Sequence, residues 1–121
     1  MRPLVFIGPA REDLRAFPDT VRQEVGHALN FVQMGRTPES AAPLHGLGSG
    51  VQEIRADGED GTYRAVYTVA LPSAVYVVHA FQKKSPRGRA MARRDEALIR
   101  SRLAWARRVD AELQTQGDEH G

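Results

Sequence analysis

Hydrophobic and polar positions along the chain change period several times, and each change predicts an element. "LVFI", Leu4 to Ile7, is a short apolar run that reads as a first strand and stops at Gly8 and Pro9. "REDLRAF" predicts a short helix interrupted by Pro18. From Pro18 to Met34 the apolar residues Val21, Val25, Ala28, Leu29 and Val32 recur at spacings of three and four, which predicts a second helix. Thr20 and Gln23 have capping-box spacing, and Gly35 suits the stop. "GRTPESAAPLHGLGSG" then reads as a long loop.

Period two takes over after the loop. Val51 to Ala56, Thr62 to Ala70 and Ala74 to Phe81 read as three strands, joined by "DGEDG" and "LPS" turns into an antiparallel meander. In the third strand, alternation puts Val75, Val77, His79 and Phe81 on one face and Tyr76, Val78, Ala80 and Gln82 on the other. Helical period returns from about Arg89 to Leu113. Its expected apolar stripe is Met91, Leu98, Trp105, Ala106, Val109 and Leu113. Arg102 falls inside that stripe, where it must snorkel or find a carboxylate. The order implies an α+β fold, a single domain over residues 1–113 with a frayed tail over 114–121.

Composition narrows the class without naming it. At 121 residues, 41% hydrophobic and 26% charged, the chain has the make-up of one ordinary globular domain. It contains no cysteine, which excludes disulfides and thiolate metal sites, and no apolar run of membrane-spanning length. A cytoplasmic protein is expected. Charge is distributed unevenly. Residues 1–82 hold 7 Lys/Arg against 9 Asp/Glu, whereas residues 83–108 hold 10 Lys/Arg against 2 Asp/Glu. A basic block of this kind suits a polyanion or an acidic partner, and equally a solvated helix face.

The histidines show no metal-ligand spacing, and "GLGSG" lacks the lysine of a phosphate loop. No metal or cofactor is expected. The meander carries the candidate chemistry. Arg55 closes one strand and Arg64 opens the next, so the two can approach each other. His79 lies in the third strand, and Lys83 and Lys84 follow it. Whether these reach one end of the sheet depends on a register that the sequence leaves open. Cations so placed suit a phosphate backbone. Cleavage of RNA by its own 2′-OH needs a proton acceptor, a stabiliser of phosphorane charge and a proton donor. Arg64, His79, Lys83 and Lys84 are the candidates for these roles. Arg55, Tyr67, Phe81, Arg87 and Arg89 are the candidate RNA contacts. Each has a plainer reading: His79 as a core histidine, the lysines as loop residues, the tyrosines as cross-strand packing.

"EDLRAFP", "VGHALNFVQMG", "PLHGLGSGVQEIR", "YRAVY" and "YVVHAFQKKSPRG" stand in this order over about residues 4–108. In these motifs the chain resembles the phage-derived, HigB-type branch of the RelE/ParE toxin superfamily, with "HAFQKKSP" after "YRAVY" as the specific part. The resemblance implies a RelE-like fold, an antiparallel sheet carrying an N-terminal helical hairpin and a C-terminal helix. It implies the toxin of a type II toxin–antitoxin pair that cleaves mRNA on the ribosome without a metal. Its partners would be the ribosome, the mRNA and a cognate helix-turn-helix antitoxin in a heteromer. Arg64 matches the family's phosphate-stabilising arginine, Lys83 and Lys84 its basic residues after the last strand, and His79 the branch's "HAF" histidine. Two departures stand out. No tyrosine follows the basic residues, and Glu53 stands where several relatives carry lysine. The alternatives are a ParE-type toxin that binds a topoisomerase and cleaves nothing, or an inactive antitoxin-binding module.

Overall fold

β3 (Val51–Gly58) and β4 (Gly61–Thr68) form the hairpin around which the rest is assembled. Gly58 pairs with Gly61, so Glu59 and Asp60 alone make the turn. Gly61 takes φ +134°, a value that favours glycine. The computed structural model describes residues 1–83 and 91–120, with side chains through residue 117. Beside the hairpin run β5 (Val75–Lys83) on one side and the short edge strand β2 (Ala41–Pro43) on the other. β1 (Leu4–Phe6) completes the order β1-β5-β4-β3-β2. It pairs with β5 in parallel, so the sheet is mixed where an all-antiparallel one was expected. β2 lies inside the segment that composition marks as loop. Three residues leave too few positions for alternation to register.

The sheet is covered on both faces. α1 (Ala10–Arg15) and α2 (Asp19–Gln33) bury Leu14, Val21, Val25, Leu29 and Val32 against Ile54, Ala65, Tyr67, Val75 and Val77. α2 shows the anticipated face, because its apolar spacing matches 3.6 residues per turn. Its start differs: Pro18 is the N-cap and no side chain caps the helix, so Thr20 lies inside the first turn. Gly35, at φ +82°, ends it as expected, with the Arg36 N–H returning to the Phe31 carbonyl at 2.9 Å.

On the opposite face lies α3 (Arg93–His120), which continues through the tail expected to fray. The start expected at Arg89 falls outside the described residues. Ile99, Leu103 and Ala106 are its buried apolar positions among the described residues, packed against Ile7, Val66, Tyr76 and Val78. Trp105 is 44% exposed and Leu113 37%, so the buried stripe is rotated from the expected one. Asp110 follows Ala106 on the same buried line. Its Oδ1 accepts from the Tyr76 hydroxyl at 2.8 Å and the Ser73 N–H at 3.0 Å, and its Oδ2 from Gln114 at 2.6 Å. Burial pushes this carboxyl up, but the hydrogen bonds from Tyr76, Gln114 and Ser73 outweigh it and hold the group below the ordinary carboxylate range. Hydrogen bonding of a buried charge therefore ties α3 to the β4–β5 turn.

Candidate phosphate-binding groove

Register decides which face of the sheet carries the candidate residues. Arg55 pairs with Arg64, Arg64 with Phe81, and Thr62 with Lys83. Paired residues share a face and alternate residues return to it, so Arg55, Arg64, Phe81 and Lys83 all stand on the α3 side of the sheet. β5 runs two residues past Phe81, so Lys83 belongs to the strand and not to a loop after it.

A β-bulge changes how β5 presents His79. Val66 pairs with His79 but Tyr67 with Val77, leaving Val78 as the extra residue. Val75 and Val77 therefore pack toward α1 and α2, while Tyr76 and Val78 pack toward α3. Past the bulge, His79 and Phe81 also face α3, with ring centroids 4.6 Å apart in a stack. Simple alternation, which grouped Val75 and Val77 with His79 and Phe81, fails here because a bulge shifts the phase by one residue.

His79 is 6% exposed and both of its ring nitrogens are engaged. Arg102 Nη1 donates to Nδ1 at 3.0 Å and to the Val78 carbonyl at 3.1 Å. Arginine only donates, so Nδ1 is the acceptor and the ring proton sits on Nε2. Nε2–H then donates to Asp95 Oδ1 at 2.8 Å. The arginine expected to snorkel or meet a carboxylate instead finds a carbonyl and an imidazole. Together these bonds clasp the first three turns of α3 to β5.

Opposite the clasp, Glu53 lies 1% exposed beneath two guanidiniums. Its Oε1 accepts from Arg55 Nε at 2.7 Å and its Oε2 from Arg64 Nη1 at 3.2 Å. Arg64 is 5% exposed, and its Nε is buried with no hydrogen-bond partner among the described residues. Lys83 is half-buried. Burial and the nearby charges of Arg64 and Arg55 lower its pKa, against a smaller opposing pull from Glu53.

Between this face and the start of α3 runs a groove of about 700 Å³. Arg64, His79, Phe81 and Lys83 line it from the sheet, Arg94, Asp95, Leu98 and Arg102 from α3, and Asp13 from α1. The site thus joins Arg64 and Lys83, with Arg55 held through Glu53 at its margin. Tyr67 is not part of it. That residue lies on the other face, 1% exposed, where burial pushes its phenol up to about 12. It is one residue from Val66 in a strand, and period two sends it to the opposite core. Lys84, Arg87 and Arg89 lie outside the described residues. Asp95, Arg94 and the bracing role of Glu53 were not foreseen. An arginine inside an apolar stripe was the signal available for Arg102. Among the described residues no three His, Asp or Glu side chains gather as a metal-ligand set, and no helix is long and apolar enough to cross a membrane.

The five-stranded mixed sheet with helices on both faces is a fold that a solved structure shares. The E. coli toxin RelE, as a mutant in the free state, matches with a TM-score of 0.52 and 21% identity. That alignment covers 70% of this chain and 86% of that one, and shows that the fold is RelE-like. The RelBE2 toxin–antitoxin complex from Mycobacterium tuberculosis aligns with a TM-score of 0.47 and 20% identity, over 68% of this chain and 98% of that one. No curated protein matches. The family described as "Phage derived protein Gp49-like (DUF891)" matches residues 12–104, and the chain belongs to it.

Proposed function

We infer that this protein is the toxin of a type II toxin–antitoxin pair and an endoribonuclease that cleaves mRNA on the ribosome. The observation that carries the reading is the convergence of Arg64 and Lys83 on one groove, with Arg64 buried and only partly engaged. In the proposed reaction the 2′-OH attacks the adjacent phosphorus while the 5′-oxygen leaves. The products are a 2′,3′-cyclic phosphate and a 5′-hydroxyl. Arg64 donates to a non-bridging oxygen as charge gathers on the phosphorane. Lys83, its proton more labile than that of a free lysine, passes it to the leaving 5′-oxygen. Of the two carboxylates lining the groove, Asp13 and Asp95, the proposed acceptor for the 2′-OH proton is Asp95, a quarter exposed and oriented by the Nε2–H of His79. His79 acts in this scheme by holding Asp95 and α3 in place, since neither ring nitrogen is free. Phe81, stacked on His79, offers a face to a base. Lys84, Arg87 and Arg89 continue the basic segment and are assigned to phosphate contacts along the strand. The motifs around "YRAVY" and "HAFQKKSP" support the assignment, a cytoplasmic location and a helix-turn-helix antitoxin as the partner.

The test is to induce the protein alone and map mRNA ends while assaying DNA supercoiling. New ends with 5′-hydroxyls that vanish in Arg64→Ala support the nuclease. Growth arrest with intact mRNA and trapped DNA breaks overturns it in favour of a topoisomerase-binding toxin.

A further inference from the structure

A buried arginine and carboxylate frequently close two parallel N–H···O bonds, which occupy the fork of the guanidinium. Arg64 and Glu53 do not. One bond joins them, Nη1 to Oε2 at 3.2 Å. Oε1 is occupied by Arg55 Nε at 2.7 Å, the shorter of the two contacts. Arg64 consequently keeps a buried Nε–H with no partner among the described residues. Leaving such a donor unsatisfied is costly, and a ligand that brings an acceptor removes the cost.

We propose that Arg55 and Glu53 are positioning residues for Arg64: Arg55 draws Oε1 aside, keeps the Glu53–Arg64 pair one-sided, and so reserves Arg64 donors for a phosphate oxygen of an RNA strand. The inference rests on the phosphodiester reading of the groove and adds two residues to it. Glu53 is needed because Arg55 and Arg64 are cross-strand partners whose like charges repel. Arg55 is needed because, without it, the carboxylate closes on Arg64 with both oxygens.

The test uses the full chain and inorganic phosphate as probe. The Arg64 Nε–H signal is followed by NMR during a phosphate titration in wild type, Arg55→Gln, Arg55→Lys and the double variant Arg55→Gln/Glu53→Gln. Arg36→Gln, at an exposed site remote from the groove, controls for the loss of one charge. The Arg55 side chain is 56% exposed, so its replacement leaves the core intact. Arg55→Gln is expected to weaken phosphate binding by about tenfold, the loss of one charge-assisted hydrogen bond. Arg36→Gln should change it less than about twofold, the scale of a remote screened charge. Arg55→Lys should stay near wild type. The double variant should regain affinity over Arg55→Gln, because the competing carboxylate has gone. A merely structural role for Arg55 predicts no such regain, and a merely electrostatic one, which predicts a regain too, leaves the response of the Arg64 Nε–H to bound phosphate the same in Arg55→Gln as in wild type.

The proposal is overturned if wild-type Arg64 Nε–H does not respond to phosphate, or if Arg55→Gln loses no more than Arg36→Gln. It also falls if a folded double variant binds no better than Arg55→Gln. Should the double variant not fold, the contrast of Arg55→Gln with Arg55→Lys decides, and equal losses in both overturn the proposal. The nuclease reading fails separately. Wild type that leaves RNA intact yet binds phosphate with this variant pattern keeps the inference and discards the reaction.

Discussion

Arg55 and Arg64 stand directly across from each other on neighbouring strands, and the buried carboxylate of Glu53 accepts a hydrogen bond from each. Two like charges in register destabilise a hairpin, so the buried carboxylate is what makes the pairing tolerable. What remains is a positive face with Arg64 incompletely satisfied.

Replacing Arg64 with alanine removes the donor proposed for the phosphorane oxygen. Cleavage on the ribosome is expected to slow by about 100-fold or more in kcat, as for loss of one transition-state donor. Single-turnover rates on programmed ribosomes measure this. Arg64→Lys should recover only part of it, because lysine supplies a point charge and no fork.

The lowered pKa of Lys83 predicts a pH dependence with a definite sign. Its charged form is disfavoured in the fold by burial and by Arg64 and Arg55. A proton donor must be protonated, so the cleavage rate should fall as pH rises through a value below that of an ordinary lysine. The same shift makes Lys83 a stability cost at pH below its folded pKa, and that cost lifts as pH rises through it. Lys83→Arg should remove the basic limb from the accessible range, because arginine does not deprotonate there. A limb unchanged in Lys83→Arg would assign the proton to another group.

Asp95→Asn tests the remaining proton. The amide cannot take up the 2′-OH proton but can still accept from His79. A loss of about 100-fold in kcat is expected, with binding of a non-cleavable 2′-deoxy strand retained, consistent with the usual scale of general base catalysis. Equal loss of binding would instead make Asp95 a residue of the α3 clasp only.

Arg102 links α3 to β5 through the Val78 carbonyl and His79 Nδ1. Arg102→Met keeps the apolar stem and removes both bonds. Stability should drop by about 1–3 kcal/mol in urea unfolding, the scale for a buried acceptor left without its donor. Hydrogen exchange should rise over residues 93–103 ahead of the sheet, because the clasp holds only the start of the helix.

Asp110, whose folded pKa lies below its ordinary value, supplies stability that is complete above the unfolded carboxylate pKa. That stability is lost as pH falls through the folded value. Asp110→Asn should therefore cost about 2 kcal/mol near neutral pH, from weakened charge-assisted bonds to Tyr76 and Ser73. The difference from wild type should shrink in acid. Urea midpoints across pH measure both.

Legibility followed the length of each signal. α2 and the β3–β4 hairpin were readable because their periods repeat over several residues and because "DGEDG" has turn chemistry. The groove was partly readable: Arg64 and Lys83 could be singled out as cations at strand ends, and the motifs pointed to the same two. His79 could be singled out as well, but the bonds that occupy its ring could not be seen. Both come from α3, 16 and 23 residues further on. Tyr67 was misplaced because a tyrosine beside Arg64 in a motif says nothing about which face it takes. The rotation of the α3 stripe had a similar source: Leu98 and Ile99, or Trp105 and Ala106, are adjacent, and neighbours in sequence satisfy the same spacing rule about equally well.

Periodicity, turn residues and charge order settled the kind and succession of most elements, since those depend on contacts between near neighbours. Register and the bulge after Val77 belong to the folded sheet alone. Pairing is chosen by the sum of contacts across strands, and a one-residue shift exchanges the two faces. That choice brought Arg55, Arg64 and Lys83 around Glu53, turned His79 toward α3, and sent Tyr67 into the opposite core.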